Sequence, residues 1–478
     1  MSAFPSLLLQ GAEIRARGGF AAAQAAFLDP DPATVASLRA HLAAREAGVV
    51  AHFYMDPELQ GVLYACDWPH IHISDSLVMA DRAVEMARSG ARTIIVLGVD
   101  FMSENVRAML DASGFADVPV YRVAAAPIGC SLAESAESDA YAAYLRRAAA
   151  TPRSLHVVYI NTSLRTKAYA HALVPTITCT SSNVIQTVLQ AAAQDPDLHV
   201  WFGPDTYMGR NLLALFRGLG ELDDAAIARL HPAHDRASLL RLIERFHHFE
   251  QGTCVVHHMF GAAVVEQIER DYQDAHITAH LEVPGEMFAL ALRRRDAGRG
   301  VVGSTSDILG FITAKIREAA AASTPTELRF VLGTEAGMVT AIVHQIRGVL
   351  REHPQISVEI IFPAASEAIA ITDDHALPVV PGVAGGEGCS TAGGCATCPY
   401  MKMNSLDALL DLLDRLDRPA RELRVYEPRK YLDTIDGRTI AELGALPILH
   451  MRGLQRAGEL PAALLADIRG RAPAHRLG

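Results

Sequence analysis

Short apolar runs alternate along this chain with longer segments of helical spacing. The runs are rich in Val and Ile, are bounded by Gly, Asp or Ser, and mostly end in a polar residue. Between them, segments rich in Ala, Leu and Arg repeat apolar positions at helical intervals. This alternation predicts parallel sheets built from strand–helix units, so the predicted fold class is α/β. The clearest strand runs are GVVAHFY from Gly48, RTIIVLG from Arg92, LHVVYIN from Leu155, LHVWFGP from Leu198, TCVVHHM from Thr253, GVVGSTS from Gly300, RFVLGTE from Arg329 and VEIIFPA from Val358.

A weak internal repeat is visible when these runs are compared. Three units are predicted to begin at VVAHFY, VVYINT and CVVHHMF. Their second strands end in ISDS, CTSSN and AHLE, and their third strands end in GVDFMSE, GPDTY and GSTSD. The repeat predicts three similar α/β domains with strand-end loops facing one centre, although any α/β chain shows some such recurrence. The predicted ranges are a helical N-terminal extension at 1–47, domains at 48–152, 153–250 and 251–416, and a C-terminal segment at 417–478.

The two ends of the chain give simpler predictions. The N-terminal extension is expected to form two helices, with Asp31 or Thr34 near the start of the second. The C-terminal segment is expected to contain a packed strand, helices and a frayed terminus. The run LDALLDLLDRLDR indicates an amphipathic helix on a domain surface.

Composition and charge exclude several classes of function. A chain of 478 residues with half of them apolar can form several domains. The formal charge of −11 argues against nucleic acid as the main partner. The apolar runs are much shorter than the roughly 20 residues of a membrane span. The first residues lack a basic segment and a cleavage site, so neither a secretory signal nor a transit peptide is predicted. A cytoplasmic location is therefore expected, and the sequence does not indicate an oligomeric state.

Seven cysteines in a chain of this length favour thiols, metal ligands or redox sites over a disulfide framework. Cys130 closes the first predicted unit, Cys254 lies between the second and third, and Cys395 and Cys398 close the third. These thiols could meet at a common axis, and their wide separation argues against a local zinc knuckle. Cys179 lies inside the second unit, and Cys66 is expected to be a small core residue.

A dozen motifs in register resemble the quinolinate synthase (NadA) family, from about Val49 to Ser405, with a weaker match near LPILHMRGL. This resemblance implies three similar α/β domains around a pseudo-threefold axis, with the active site at the centre. It also implies one 4Fe–4S cluster that binds one cysteine from each domain. The motifs are AHFYMDPELQ, ISDSLVMADRA, GVDFMSENV, GCSLAES, YINTS, CTSSN, GPDTYMG, GTCVVHH, AHLEVPGE, GSTSD, GTEAGM and CPYMKMNS.

The resemblance implies that the cluster ligands are Cys130, Cys254 and Cys398. Thiolates suit iron–sulfur clusters, and three of them leave one iron open as a Lewis acid. Family members have either a lone cysteine or a C-x-x-C-x-x-C run at the third position, whereas this chain has C-x5-C-x-x-C. Cys389 and Cys395 could form a redox-sensitive pair with Cys398 or with each other, or could lie idle in the Gly-rich loop. The idle role is expected for Cys389, and the role of Cys395 stays open.

The implied reaction condenses iminoaspartate with dihydroxyacetone phosphate to quinolinate, phosphate and water, for the synthesis of NAD. It also implies a functional link to an aspartate-oxidising enzyme. Glu282 is expected to be the main general base, with His280 and Tyr54 assisting. Many family members have HPEC where this chain has HLEV, so the loop geometry around Glu282 is less defined. The expected substrate-binding residues are His52, Ser76, Tyr159, Asn161, Ser181, His257, Ser304 and Thr305.

Structural roles compete with these assignments. A histidine at a strand end is often only a satisfied polar residue, Glu282 could cap the next segment, and Ser181, Ser304 and Thr305 could be helix N-caps. Three other classes of protein also compete. They are a diphthamide-forming enzyme, whose relatives lack the AHFY, GSTS and CPYM set, a cluster-bearing hydro-lyase, and a non-enzymatic zinc-binding or interaction protein.

Overall fold

The computed structural model describes residues 3–322, 324–363, 389–390, 394–395 and 397–474. The chain divides into two compact units. Unit 1 comprises Met1–Ile128 and Val255–Pro428, and unit 2 comprises Gly129–Cys254 and Arg429–Gly478. In the residues described, no helix is both long and apolar enough to cross a membrane.

The strands are short, as the sequence pattern predicts. Several of them, such as TIIVL at 93–97 and HVWFG at 199–203, are nearly continuous apolar runs, which is typical of parallel strands covered on both faces. The strands in the described residues are β1 (Ser6–Gln10), β2 (Glu13–Arg17), β3 (Ala47–His52), β4 (Ile71–Ser74), β5 (Thr93–Leu97), β6 (Val120–Arg122), β7 (Ser154–Tyr159), β8 (Thr176–Cys179), β9 (His199–Gly203), β10 (Phe246–His248), β11 (His276–His280), β12 (Gly300–Gly303), β13 (Thr326–Gly333), β14 (Ile356–Ile361), β15 (Cys389–Ser390), β16 (Gly394–Cys395), β17 (Thr434–Ile435) and β18 (Arg438–Thr439).

Helices follow most of the strands, and many begin at an Asp, Ser or Thr whose side chain accepts a backbone N–H. The helices in the described residues are α1 (Gly19–Ala26), α2 (Pro32–Ala44), α3 (Pro57–Ala65), α4 (Ser76–Arg88), α5 (Asp100–Ala112), α6 (Ser131–Ser135), α7 (Asp139–Ala149), α8 (Leu164–Leu173), α9 (Val184–Gln194), α10 (Thr206–Gly220), α11 (Asp224–Leu230), α12 (Arg236–Arg245), α13 (Ala262–Asp271), α14 (Gly285–Arg295), α15 (Thr305–Ala322), α16 (Met338–Glu352), α17 (Leu406–Arg415), α18 (Ala420–Leu423), α19 (Ile440–Ala457) and α20 (Ala462–Gly470).

The described residues of unit 1 contain two larger sheets and the two-stranded pair of β15 and β16. The first sheet is parallel and has the order β4-β3-β5-β6. The second has the order β12-β11-β13-β14-β1-β2, in which β11 to β14 are parallel and the N-terminal hairpin of β1 and β2 adds antiparallel to β14. Apolar residues of β1, β13, β14, α15 and α16 form a buried core on this second sheet.

Unit 2 contains one parallel sheet, with the order β8-β7-β9-β10. A smaller core of Tyr141, Tyr144, Trp201 and neighbouring residues packs on this sheet. The C-terminal helix α19 packs along α8 in the same unit.

The predicted class, α/β with parallel strands, is confirmed, and most predicted strand runs are strands. One strand prediction is wrong, because TCVVHHM forms an irregular segment and a 3-10 helix at His257–Met259. Only two consecutive β-branched residues, Val255 and Val256, support a strand there, which is too short a run.

Because TCVVHHM is not a strand, the third unit of the internal repeat begins later in the sequence than predicted. The three four-stranded parallel arrangements share one order, second–first–third–fourth, when the third one begins at β11. The segment AHLE therefore corresponds to AHFY, and GSTS corresponds to ISDS. Each predicted domain range contains one of these sheets, while the three-domain arrangement and its boundaries stay a prediction.

The ends of the chain agree only in part with their predictions. The two N-terminal helices are present as α1 and α2, and Asp31 caps α2 by accepting the Thr34 N–H. The extension is not wholly helical, since β1 and β2 precede α1. The run LDALLDLLDRLDR forms α17, which buries its leucines and packs on α2. The last four residues, where a frayed end is expected, lie outside the described residues.

Candidate active site

Two strands of unit 1 end in a histidine at the carboxyl edge of their sheets. His52 is the last residue of β3 and His280 is the last residue of β11. In each case a second functional side chain follows two residues later, Tyr54 and Glu282 respectively. Loops at the carboxyl ends of parallel strands are where α/β proteins bind ligands.

The carboxyl group of Glu282 faces two imidazoles. Its Oε2 atom lies 2.9 Å from Nδ1 of His257, and its Oε1 atom lies 3.9 Å from Nδ1 of His280. The two imidazole rings stack with centroids 4.9 Å apart. All three residues are at most 4% exposed. Both ring nitrogens of His257 lack a well-directed hydrogen bond within the described part of the chain, so this buried imidazole is suited to hold a ligand.

His52 and Tyr54 join this group from the first sheet. The Tyr54 N–H donates to Nδ1 of His52 at 3.2 Å, and the two rings meet edge to face. The Tyr54 ring also lies against His257, with centroids 6.4 Å apart. The Tyr54 hydroxyl lies 3.3 Å from Oγ1 of Thr334, at the end of β13. The five predicted residues His52, Tyr54, His257, His280 and Glu282 therefore lie together in unit 1.

Burial fixes the charge of two of these histidines. It lowers the pKa of His52 to about 3 and that of His280 to about 4, although the Glu282 carboxylate opposes the shift. Both imidazoles are therefore neutral near pH 7. Nδ1 of His280 faces the Glu282 N–H at 3.4 Å, which places the ring proton on Nε2.

The predicted hydroxyl ligands of unit 1 lie at helix starts. Ser76 and Thr305 are the first residues of α4 and α15 and are buried. Ser304 caps α15, because its Oγ accepts the Asp307 N–H at 3.2 Å and donates to the Asp307 carboxylate at 2.7 Å. The N-cap alternative is thus realised for Ser304, and its substrate contact stays a prediction.

The predicted ligands of unit 2 lie at one edge of its own sheet. Tyr159 ends β7 and is buried, Asn161 follows two residues later, and Ser181 follows β8. Tyr159 and Cys179 are register partners in the neighbouring strands β7 and β8. These side chains therefore lie at the carboxyl edge where ligands bind.

The cysteines divide into two kinds by burial. Cys66 and Cys179 are buried, and burial raises the pKa of both thiols, to well above the ordinary value for Cys179. Cys130, Cys254 and Cys398 are partly exposed. Each of these three follows the fourth parallel strand of one sheet: β6, β10 or β14. The side chains of Cys389 and Cys395, whose roles were left open, lie outside the described residues.

Three polar residues of this region were missed by the sequence analysis. Glu335 is buried beside the group of imidazoles around Glu282. Its two oxygens accept hydrogen bonds from the backbone N–H groups of Cys398 and Gly337 at 2.9 and 2.7 Å. Thr334 contacts Tyr54, and the Asn404 side chain bonds the backbone of Gly98. Their motifs, GTEAGM and CPYMKMNS, were recognised from the sequence, but no role was assigned to these three residues. The corrected repeat, which aligns the ends of β5, β9 and β13, is the signal that could have identified Glu335.

A buried group of imidazoles and one carboxylate at the carboxyl ends of parallel strands is typical of an α/β enzyme. The family model described as Quinolinate synthetase A protein (NadA) matches residues 35–430. The chain therefore belongs to the quinolinate synthase family, a family of enzymes of NAD biosynthesis.

Curated relatives agree with this family. The chain is 53% identical to "Quinolinate synthase, chloroplastic" of Nicotiana tabacum, over 97% of this chain and 67% of the relative. It is 50% identical to the protein of the same name from Oryza sativa subsp. japonica, over 97% of this chain and 69% of the relative. It is 27% identical to "Quinolinate synthase" of Nostoc punctiforme, over 79% of this chain and 83% of the relative. The chain thus spans about two thirds of the plant relatives.

The prediction of a cytoplasmic location is wrong. The plant relatives that match over 97% of the chain are named chloroplastic, which contradicts this prediction. The prediction failed because it rested on cysteine usage and on the first residues. Cysteine usage reports only that a compartment is reducing, and it does not distinguish one reducing compartment from another.

Proposed function

We propose that the chain condenses iminoaspartate with dihydroxyacetone phosphate to quinolinate, phosphate and water, using a 4Fe–4S cluster. The observation that carries this proposal is the buried group of His257, Glu282 and His280 in a chain of the quinolinate synthase family. A functional link to an aspartate-oxidising enzyme follows from the proposed substrate, because such an enzyme would supply iminoaspartate.

The cluster would be held by Cys130, Cys254 and Cys398. Their partial exposure supports this set, since thiolates must be reachable to ligate iron, and the buried Cys66 and Cys179 are less suited. Their recurrence after the fourth strand of each sheet supports one ligand per sheet. When bound, a cluster with three protein ligands supplies one open iron as a Lewis acid.

Glu282 is the proposed general base. Its Oε2 atom lies 2.9 Å from Nδ1 of His257, so a proton taken up by the carboxylate can pass to that imidazole. His280 is neutral and carries its proton on Nε2, so it can donate a hydrogen bond to a substrate oxygen. The Tyr54 hydroxyl offers a second donor close to the same group, and His52 supports the Tyr54 backbone.

The remaining predicted residues would hold the substrate oxygens. Ser76, Ser304 and Thr305 lie at the starts of α4 and α15, where backbone N–H groups and the helix dipole favour carboxylate or phosphate. Tyr159, Asn161 and Ser181 supply a phenol, an amide and a hydroxyl at the sheet edge of unit 2.

The first test measures iron, sulfide and the visible spectrum of protein purified without oxygen, followed by a quinolinate assay. The assay supplies dihydroxyacetone phosphate and aspartate oxidised in situ. Brown protein with about four irons that forms quinolinate supports the proposal. Colourless protein that contains zinc, or brown protein that forms no quinolinate, would instead favour the zinc-binding or hydro-lyase class.

Serine substitutions test the ligand set. Cys130→Ser, Cys254→Ser and Cys398→Ser should each lose most of the iron, because each removes one of three protein ligands. Cys66→Ser is the control and should retain it, since Cys66 is buried at the end of α3. The set is wrong if Cys395→Ser loses the cluster while Cys398→Ser keeps it.

Glu282→Gln tests the general base. We expect the cluster to be retained and turnover to fall by about 10²–10⁴-fold, the usual contribution of a general base. Iron content and quinolinate formation are measured on the same preparation. Near-full turnover with an intact cluster would show that Glu282 is not the base.

A further inference from the structure

The junction between the third strand of each sheet and the helix that follows it contacts the segment that leads to one of the three cysteines. In the first sheet Asp100 contacts Ile128, two residues before Cys130. In the sheet of unit 2 Thr206 contacts Gly252, two residues before Cys254. In the second sheet of unit 1 Glu335 contacts Cys398 itself. The junction after the third strand thus meets the same kind of segment in all three sheets, although Thr206 lies one residue beyond the position that Asp100 and Glu335 share.

The first contact is an exchange of two hydrogen bonds. The Asp100 N–H donates to the Ile128 carbonyl at 2.9 Å, and the Ile128 N–H donates to Oδ1 of Asp100 at 3.1 Å. The buried guanidinium of Arg122 lies 2.5 Å from the same oxygen and compensates its charge. The segment before Cys130 is therefore fixed by a buried ion pair as well as by its backbone.

The second contact repeats this exchange with a different side chain. The Thr206 N–H donates to the Gly252 carbonyl at 2.7 Å, and the Gly252 N–H donates to Oγ1 of Thr206 at 2.9 Å. The packing is close, because a Cβ at Gly252 would lie 2.2 Å from the Pro204 carbonyl oxygen. A hydroxyl thus makes the bond in unit 2 that a carboxylate makes in the first sheet.

The third contact bonds the cysteine directly. Oε1 of Glu335 accepts the Cys398 N–H at 2.9 Å, and Oε2 accepts the Gly337 N–H at 2.7 Å. Glu335 is 1% exposed, and a Cβ at Gly337 would collide with Oε2 of Glu335 at 2.6 Å. The Glu335 carboxyl group therefore holds the Cys398 backbone against the loop after β13.

We infer that Asp100, Thr206 and Glu335 are positioning residues that set the backbone of Cys130, Cys254 and Cys398, respectively. The inference rests on the proposed function, in which these cysteines hold a cluster. Three different side chains, Asp, Thr and Glu, each provide one oxygen to one N–H at or near a cysteine. A common fold alone would require only that the loops be close, and not that each present an acceptor to the cysteine segment.

Thr206 offers the cleanest test, because Thr206→Val removes the oxygen and keeps the shape, while Thr206→Ser keeps the oxygen. The readout is the alkylation rate of each cysteine in cluster-free protein, measured peptide by peptide with iodoacetamide and mass spectrometry. Thr206→Val should change the rate at Cys254 about fivefold, the effect of losing a hydrogen bond of about 1 kcal/mol, and leave Cys130 and Cys398 unchanged. Thr206→Ser should restore the wild-type rate.

Glu335→Met is the matched test in unit 1, because it removes both acceptor oxygens at a similar side-chain length, and it should change the rate at Cys398 alone. General destabilisation would raise the rate at the buried Cys179 as well, so Cys179 serves as an internal standard. Rates that change together, or unchanged rates at Cys254 and Cys398, would overturn the inference. These rates need no cluster, so a failure of the proposed function, seen as wild-type protein without iron, is distinguishable from a failure of the positioning role.

Discussion

At the scale of single residues, the tautomer of His52 follows from one backbone contact. Nδ1 of His52 accepts the Tyr54 N–H, and the imidazole is neutral because burial lowers its pKa to about 3. The ring proton must then lie on Nε2. One nitrogen therefore supports the loop that carries Tyr54, and the other is available as a donor.

The separate roles of the two ring nitrogens predict different stabilities for two variants of His52. His52→Asn places an oxygen near the position of Nδ1 and can still accept the Tyr54 N–H, whereas His52→Gln places its polar atoms near Nε2. We expect His52→Gln to be less stable than His52→Asn by about 1–2 kcal/mol, because it leaves a buried N–H unpaired. Urea unfolding followed by circular dichroism measures the difference. Equal stabilities would argue against the supporting role of Nδ1.

The clustering of the predicted residues in unit 1 could be predicted from the sequence, because the motifs and the residue spacing within them both point to equivalent strand ends. The offset of two residues places Tyr54 after His52 and Glu282 after His280, at equivalent strand ends. The role of Glu335 was not predictable, because its contact with Cys398 spans 63 residues of sequence and depends on backbone positions. A carboxyl group that accepts backbone N–H groups, as Glu335 does from Cys398 and Gly337, leaves no pairing pattern in a sequence.

At the scale of elements, the spacing of apolar positions and the residue composition of the runs predicted the parallel strands, but they did not predict the N-terminal hairpin. β1 is almost wholly buried, while β2 is almost wholly exposed, so neither strand shows a clean alternation. What fixes the hairpin is a distant partner: Ser6 and Arg17 both bond the buried carboxylate of Glu359 on β14. Such long-range pairing overrides local propensity.

The packing of α19 on α8 gives an element-scale prediction. A Cβ at Gly444 would lie 2.4 Å from the Leu164 carbonyl oxygen, so the helices can approach closely only with glycine there. Gly444→Ala should destabilise unit 2 by about 1–3 kcal/mol, the usual cost of overpacking. Thermal unfolding measures this cost.

The control for that substitution is Gly218→Ala, in α10 of the same unit. A Cβ there meets nothing within 4 Å, so alanine should be neutral or stabilising by up to about 1 kcal/mol through its better helix propensity. If both variants lose the same stability, close helix approach at Gly444 is not the cause.

At the scale of the whole molecule, both units bury neutral histidines. His52 and His280 lie in unit 1, and His156 lies in the core of unit 2, where its ring nitrogens face the Tyr141 hydroxyl at 2.8 Å and the Thr176 hydroxyl at 3.5 Å. Desolvation lowers the pKa of His156 to about 3. An unfolded histidine has a pKa near 6.5, so the unfolded chain binds protons that the folded chain excludes.

Stability should therefore fall as the pH drops below about 6.5 and continue to fall toward pH 3. Each such histidine adds up to about 1.4 kcal/mol per pH unit to this slope, because the folded state stays unprotonated while the unfolded state is protonated. Between pH 6 and pH 4, His156→Gln should reduce the slope of the unfolding free energy against pH by about 1.4 kcal/mol per pH unit, which corresponds to one bound proton. Tyr141→Phe should lower stability at every pH but keep the slope, since the imidazole stays buried. Urea unfolding at several pH values separates these effects, and an unchanged slope in His156→Gln would mean that His156 is protonated in the folded protein.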